Sequence, residues 1–123
     1  MEFKNNIPIY LQVIDDIKHR IGSGGLKLGD KLPSTRELAV SYQINPNTAV
    51  RVYNEMESMG ICFTKRGLGT FVTEDEEKFY SIKKEMAQDY VDDFVNGMSG
   101  LGIDREEMID YINTYFKEKD MEV

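Results

Sequence analysis

Two helix starts stand eleven residues apart in this chain, at Ser34 and Asn45, and no other feature restricts the fold so tightly. Ser34-Thr35-Arg36-Glu37, directly after Pro33, is a capping box: the serine hydroxyl and the glutamate carboxylate satisfy backbone N–H groups that a helix N-terminus leaves unpaired. Asn45-Pro46 repeats the signal, because asparagine is a strong N-cap and proline suits the first helical position, where no backbone donor is needed. Between them there is room for one short helix from Thr35 to about Tyr42, burying Leu38 and Ala39, and Gln43-Ile44 must turn the chain. A longer helix comes first. Tyr10, Val13, Ile14, Ile17 and Ile21 recur at helical spacing after Pro8, and Gly22-Ser23-Gly24-Gly25 ends it. Three helices with so tight a turn between the last two outline a helix-turn-helix.

The glycine cluster is not a phosphate cradle, since no strand leads into it and no Gly-Lys-Ser/Thr follows. Leu26, Leu28 and Leu32 anchor a loop broken by the turn signal Gly29-Asp30. The third helix stops at Gly60, and the pattern then changes period. Ile61-Cys62-Phe63-Thr64 and Thr70-Phe71-Val72 flank Lys65-Arg66-Gly67-Leu68-Gly69, which reads as a β-hairpin with a basic tip. After a helix-turn-helix such a hairpin is a wing, with Lys65 and Arg66 placed to meet phosphates or a minor groove. The expected fold is mainly α with a small β-wing: an N-terminal winged helix-turn-helix over residues 1–73, then a two-helix segment over residues 74–123.

The net charge of −7 looks wrong for a nucleic-acid binder until it is divided along the chain. Residues 1–73 hold nine Lys/Arg against seven Asp/Glu, whereas residues 74–123 hold six against fifteen. The acidity therefore belongs to the tail, and the mildly basic first part can approach phosphates if its cations share a face. Taking about 100° per residue, the third helix turns Ala49, Val52, Tyr53, Met56 and Met59 inward and Asn47, Arg51, Asn54 and Ser58 outward. Asparagine can pair bidentately with adenine and arginine with guanine, so the outer face suits base reading. A merely solvated polar face is the alternative.

These residues together resemble the winged-helix DNA-binding domain of the GntR family. The resemblance is carried by Ile21-x-x-Gly24-x-Leu26-x-x-Gly29-x-x-Leu32-Pro33-Ser34-x-Arg36-x-Leu38-Ala39, by Asn45-Pro46-Asn47-Thr48, and by Gly67-x-Gly69-Thr70-Phe71-Val72. It covers residues 8–72. It implies that Arg36 touches the DNA backbone or base edges, that Asn47 and Thr48 contact bases and phosphates, and that the Gly67 turn, with Arg66, inserts toward the minor groove. The full DNA-contacting set expected is Ser34, Thr35, Arg36, Asn45, Asn47, Thr48, Arg51, Lys65, Arg66, Gly67 and Gly69. Many members carry arginine where this chain has Pro46 and Val50; Arg51 is the residue placed to take over the second role, and base specificity does not transfer.

In the tail, a helix over about Asp75 to Asn96 would present Phe79, Ile82, Met86, Tyr90 and Phe94 in one stripe, with Ala87, Val91 and Val95 widening it. Gly97, Gly100 and Gly102 would break it, and Asp104-x-x-Glu107 would start another with Met108, Ile109, Tyr111, Ile112, Tyr115 and Phe116 inward. Two such helices cannot bury these faces alone, so a second copy related by two-fold symmetry is the expected partner. A tail this short resembles the YtrA subfamily, which implies a regulator of transporter genes; the family resemblance implies a repressor, and the two-fold dimer a palindromic operator in double-stranded DNA. Two alternatives stand beside this reading: a sensor with an unidentified small-molecule effector at the tail interface, and an adaptor whose winged helix contacts protein.

No enzyme is expected. Cys62 and His19 are each single in the chain, so neither a disulfide nor a cysteine/histidine metal cluster can form within it. Cys62 reads as a small core residue and His19 as a helix surface residue. No cofactor is expected. Without a leader or an apolar run near the roughly 20 residues a membrane helix needs, the expected location is the cytoplasm.

Overall fold

The computed structural model describes residues 1–121 and divides into two compact units, Met1–Met86 and a second that begins at Ala87. The chain runs α1 (Ile9–Gly22), α2 (Thr35–Tyr42), α3 (Pro46–Ser58), β1 (Cys62–Lys65), β2 (Gly69–Val72), α4 (Glu76–Gly100) and α5 (Arg105–Asp120). The architecture is the mainly helical winged helix-turn-helix with trailing helices that the sequence predicts. Among the described residues no helix is long and apolar enough to cross a membrane.

The first unit is built on α1, which buries Val13, Ile14, Ile17 and Ile21 against Leu38, Ala39 and Tyr42 of α2 and Ala49, Val52, Tyr53 and Met56 of α3. Local capping decides where these helices begin. Ser34 accepts from the Glu37 N–H at 3.1 Å while the Glu37 carboxylate accepts from the Ser34 N–H at 3.0 Å, a complete capping box. Asn45 accepts from the Asn47 N–H at 2.8 Å, with Pro46 following at the first helical position.

The ends of α1 to α4 share one device. In α1, Gly24 and Gly25 donate back to Ile21 and Arg20; in α3, Gly60 and Ile61 donate back to Glu57 and Met56; in α4, Gly102 and Ile103 donate back to Ser99 and Met98. Each is a Schellman motif with a left-handed glycine. The end of α2 has the same bonds, Gln43 to Val40 and Ile44 to Ala39, but the left-handed residue is Gln43, at φ 55°.

β1 and β2 pair antiparallel, Cys62 opposite Val72 through Lys65 opposite Gly69. The segment read as a loop from sequence supplies a third edge: Lys31 bridges Phe71, Leu32 donates to Thr70, and Val72 donates to Asp30 at 2.8 Å. The pairing is non-local, and the Gly29-Asp30 turn concealed it. Met59 also departs from expectation: α3 stops at Ser58, so Met59 caps the helix and stays exposed instead of entering the core.

In the tail, α4 does not break at Gly97 but continues to Gly100, the reversal falling at Gly102. One interior glycine costs only about 1 kcal/mol relative to alanine, which a helix of 25 residues absorbs. The beginning of α4 belongs with the first unit. Ile82 is buried in its core and Phe79 and Met86 pack against it, so the boundary between units lies at Met86, one helical segment later than the expected 73/74 division. α5 starts at Asp104, whose carboxylate accepts from the Glu107 N–H at 3.0 Å.

Candidate nucleic-acid interface

The outer surface of the first unit is assembled from three places in the sequence. The start of α2 leaves Ser34 and Arg36 exposed and Thr35 half-buried. The backbone N–H and the hydroxyl of Ser34 bond the Glu37 carboxylate and hold it below its ordinary pKa, so this acid is a capping anion bound to its own helix. Arg36, one residue earlier, forms no ion pair with a described residue.

The second contributor is α3. Asn45, Asn47, Arg51 and Asn54 are exposed and Thr48 is half-buried, while the opposite face holds Ala49, Val52, Tyr53 and Met56 in the core. The Asn45 carboxamide oxygen caps the helix, and its NH2 group donates to no described residue. Ser58, expected on the reading face, instead donates its hydroxyl to the Asn54 carbonyl at 3.0 Å and has no hydrogen left to donate. The Arg51 guanidinium lies 3.8 Å over the centre of the Tyr10 ring of α1. Tyr53 fastens α3 to the loop before α2, its hydroxyl donating to the Pro33 carbonyl at 2.5 Å. Burial pushes the pKa of that hydroxyl upward, so it remains a donor.

The wing is the third. The Glu57 carboxylate of α3 accepts from the Thr64 N–H at 3.1 Å, fixing the hairpin beside the helix. Gly67 and Gly69 carry φ of 80° and 119°, a turn that residues with a Cβ rarely adopt. Arg66 is exposed and forms no ion pair with a described residue. Lys65, expected at the tip, is drawn back: its ammonium is 3.7 Å from the Glu74 carboxylate and lies over the Phe63 and Phe71 rings at 5.5 and 5.2 Å. Leu68 takes the tip instead, 62% exposed.

Two residues that periodicity did not assign to this surface therefore belong to it. Tyr10 belongs to the apolar stripe of α1, yet it is half-buried and its ring lies against the Arg51 guanidinium. Lys31 lay in an apparent loop, but its side chain runs beside the wing, where a Cβ at Gly69 would sit 3.1 Å from Lys31 Cε. Only the non-local pairing of Lys31 with Phe71 reveals it.

Cys62, the first residue of β1, is buried in the core, where burial first and the Glu57 charge second push its thiol up to about 12. His19 is exposed near the end of α1. Among the described residues no group of three His, Cys, Asp or Glu could hold a metal ion.

The tail residues expected at an interface divide into two sets. Ile82 is buried in the core of the first unit, and Phe79 and Met86 pack against that core while staying half-buried, because the first turns of α4 cover it. Met108 is likewise buried. Tyr90, Val91, Ile112, Tyr115 and Phe116 are exposed, Phe94 is half-buried, and Ile109 and Tyr111, expected to face inward, are exposed as well. Within the second unit an open cleft of about 530 Å³ is lined by Phe94, Met98, Tyr111, Ile112, Tyr115 and Phe116, with Thr114 and Glu118 at its polar side.

Residues 9–72 match the family described as bacterial regulatory proteins, gntR family. An uncharacterized HTH-type transcriptional regulator of Bacillus subtilis, YhcF, is 43% identical over 93% of this chain and 94% of its own length. The HTH-type transcriptional repressor YtrA of the same organism is 41% identical over 72% of this chain and 73% of its own length. Among solved structures, a GntR family transcriptional regulator from Listeria monocytogenes superimposes with a TM-score of 0.86 at 37% identity, covering 91% of this chain and 98% of that one. A DNA-binding domain, AraR(DBD), solved in complex with operator ORX1, superimposes with a TM-score of 0.52 at 28% identity, over 55% of this chain and 81% of that one.

Proposed function

The chain belongs to the GntR family as a winged-helix DNA-binding transcriptional regulator and not an enzyme, and from that premise we propose that it is a homodimeric repressor that reads a palindromic operator. One observation carries the reading: α3 spends its apolar side on the core and leaves Asn47, Arg51 and Asn54 exposed, with the wing tied beside them by Glu57 and Thr64. An exposed face of amide and guanidinium groups next to a basic hairpin matches the donor and acceptor code of a major groove with phosphates on its flank. In this reading Arg36 and Arg66 anchor phosphates, with Ser34 and Thr35 at the same helix start. Asn47, Thr48 and Arg51 reach base edges from α3, Asn45 lies at its mouth, and Lys31 and Lys65 add charge behind the Gly67–Gly69 turn.

Dimerisation is supported by the exposed apolar side chains of the second unit. Tyr111, Tyr115 and Phe116 are each more than half exposed, and a cluster of that kind on a small helical unit calls for a cover. A second copy supplies one and sets two α3 helices against successive half-sites. The repressor named YtrA supports repression and, through its subfamily, control of transporter genes; such a protein works in the cytoplasm, where the chromosome is. The cleft between α4 and α5 favours a second reading of the same unit, as the seat of an apolar effector that changes operator affinity.

Fluorescence anisotropy on a duplex from upstream of its own gene, against a scrambled duplex at several salt concentrations, tests the function. Preference for the upstream duplex, weakening with salt and lost with Arg36→Ala, is expected. Equal weak binding to both duplexes excludes autoregulation. Sedimentation of Ile112→Glu tests the dimer: a shift from dimer to monomer at micromolar concentration is expected, and an unchanged dimer puts the interface elsewhere.

A further inference from the structure

α3 carries a single cation, Arg51. Among the described residues its guanidinium makes no ion pair and no hydrogen bond to a protein acceptor. Its one close partner is the ring of Tyr10, whose centroid lies 3.8 Å from the guanidinium carbon, whereas the other cation–ring pairs found among the described residues lie at 5.2 to 5.9 Å. That distance is van der Waals contact. Tyr10 is itself fixed, because it is the second residue of α1 and packs against the core that α1 shares with α3. A free arginine samples many rotamers and loses that freedom when it grips a base; one already lying on an aromatic face has lost much of it beforehand. The donors of a guanidinium lie in its own plane, so contact with a ring through its face leaves the fork available to an acceptor pair such as O6 and N7 of guanine.

We infer that Tyr10 is a positioning residue of the DNA-reading surface, its ring holding the Arg51 guanidinium in a set direction before DNA arrives. The inference rests on the DNA-reading function proposed above and extends it to a residue of α1. Specificity at the base Arg51 reads then depends on a side chain that need not touch that base. Tyr10 acts through its ring, and the hydroxyl is dispensable.

The test uses the full-length protein and a labelled duplex selected by it from a randomised pool, with a scrambled duplex as reference. Tyr10→Phe keeps the ring; Tyr10→Leu keeps apolar packing without it; both are also made in an Arg51→Ala background. Tyr10→Phe is expected to preserve the preference for the selected duplex. Tyr10→Leu is expected to lower that preference roughly 3- to 10-fold, as suits the loss of one cation–ring contact, with binding to the scrambled duplex and the salt slope unchanged. With Arg51→Ala already present, Tyr10→Leu should cost nothing further. If Tyr10→Phe is as damaging as Tyr10→Leu, the hydroxyl is the active group and the inference is overturned. Equal losses from Tyr10→Leu with and without Arg51 overturn it too, as does no loss from Tyr10→Leu alone. Should the wild-type protein select no sequence, the reader function fails and the positioning role fails with it.

Discussion

The Tyr53 hydroxyl donates to the Pro33 carbonyl at 2.5 Å, joining the middle of α3 to the residue that precedes the α2 capping box. The bond ties α3, which carries Asn47, to the segment leading into α2, which carries Arg36, so it sets the spacing of the proposed DNA-reading surface as well as holding the fold. Tyr53→Phe keeps the ring and removes the donor, leaving the carbonyl without its partner. Such a loss costs about 1 to 3 kcal/mol, to be read as a lower urea midpoint with an unchanged slope, at one protein concentration because assembly would shift it. DNA affinity should fall less than stability does, since no contacting side chain is removed. An unchanged midpoint would mean that water replaces the hydroxyl at no cost.

Gln43 stands where α1, α3 and α4 use glycine, and its left-handed backbone costs about 1 to 2 kcal/mol for a residue with a Cβ. Gln43→Gly removes that strain but gives the unfolded chain more freedom, so the expected gain is small, up to about 1 kcal/mol. Gln43→Val points the other way: a β-branched side chain in this conformation should destabilise by at least about 1 kcal/mol. Thermal melts of the two variants should bracket the wild type. Gly below Val would show that the turn between α2 and α3 carries no strain.

What the sequence made legible follows from the range of each interaction. The starts of α2, α3 and α5 were readable because Ser34, Asn45 and Asp104 cap backbone groups within three residues of themselves, and the α1 stripe because a helix repeats locally. The strand-like pairing of Lys31 with Phe71 was not, since its partner is forty residues away. Ile82 shows a subtler limit. Periodicity correctly marks it as a buried position, but it cannot say what buries it, and the core of the first unit claims it before any second copy could. Tyr10 fails in the opposite sense: its place in an apolar stripe hid a ring whose outer face serves Arg51.

Cys62 gives a pH prediction. Its thiol is raised from an ordinary value of 9.0 to about 12 by burial and by Glu57, so at pH 8 the folded protein should resist alkylation and react only as fast as it opens. Because the folded value is the higher one, this group's contribution to stability is fully present below pH 9. It declines as pH rises through about 12, the unfolded thiol ionising first. Iodoacetamide labelling followed by mass spectrometry checks the first part, and urea midpoints between pH 8 and 10.5 the second. Rapid labelling of the folded protein at pH 8 would place Cys62 on the surface.

Leu68 occupies the wing tip between Gly67 and Gly69, with Lys65 held back on Glu74 and the two phenylalanine rings. If the wing meets DNA as proposed, its tip offers an apolar side chain where a cation would gain from phosphates or from a narrow minor groove. Leu68→Lys should keep the fold, since an exposed turn residue changes without loss of packing, and should tighten binding to selected and scrambled duplexes alike. One added phosphate contact steepens the dependence of log K on log salt by about 0.9, whereas a base-reading contact would change the ratio between duplexes and leave the slope almost untouched. Measuring anisotropy at four salt concentrations separates the two. A steeper slope with an unchanged ratio places the tip against the DNA backbone. No change in either places the wing away from DNA, and specific binding would then rest on α2 and α3 alone.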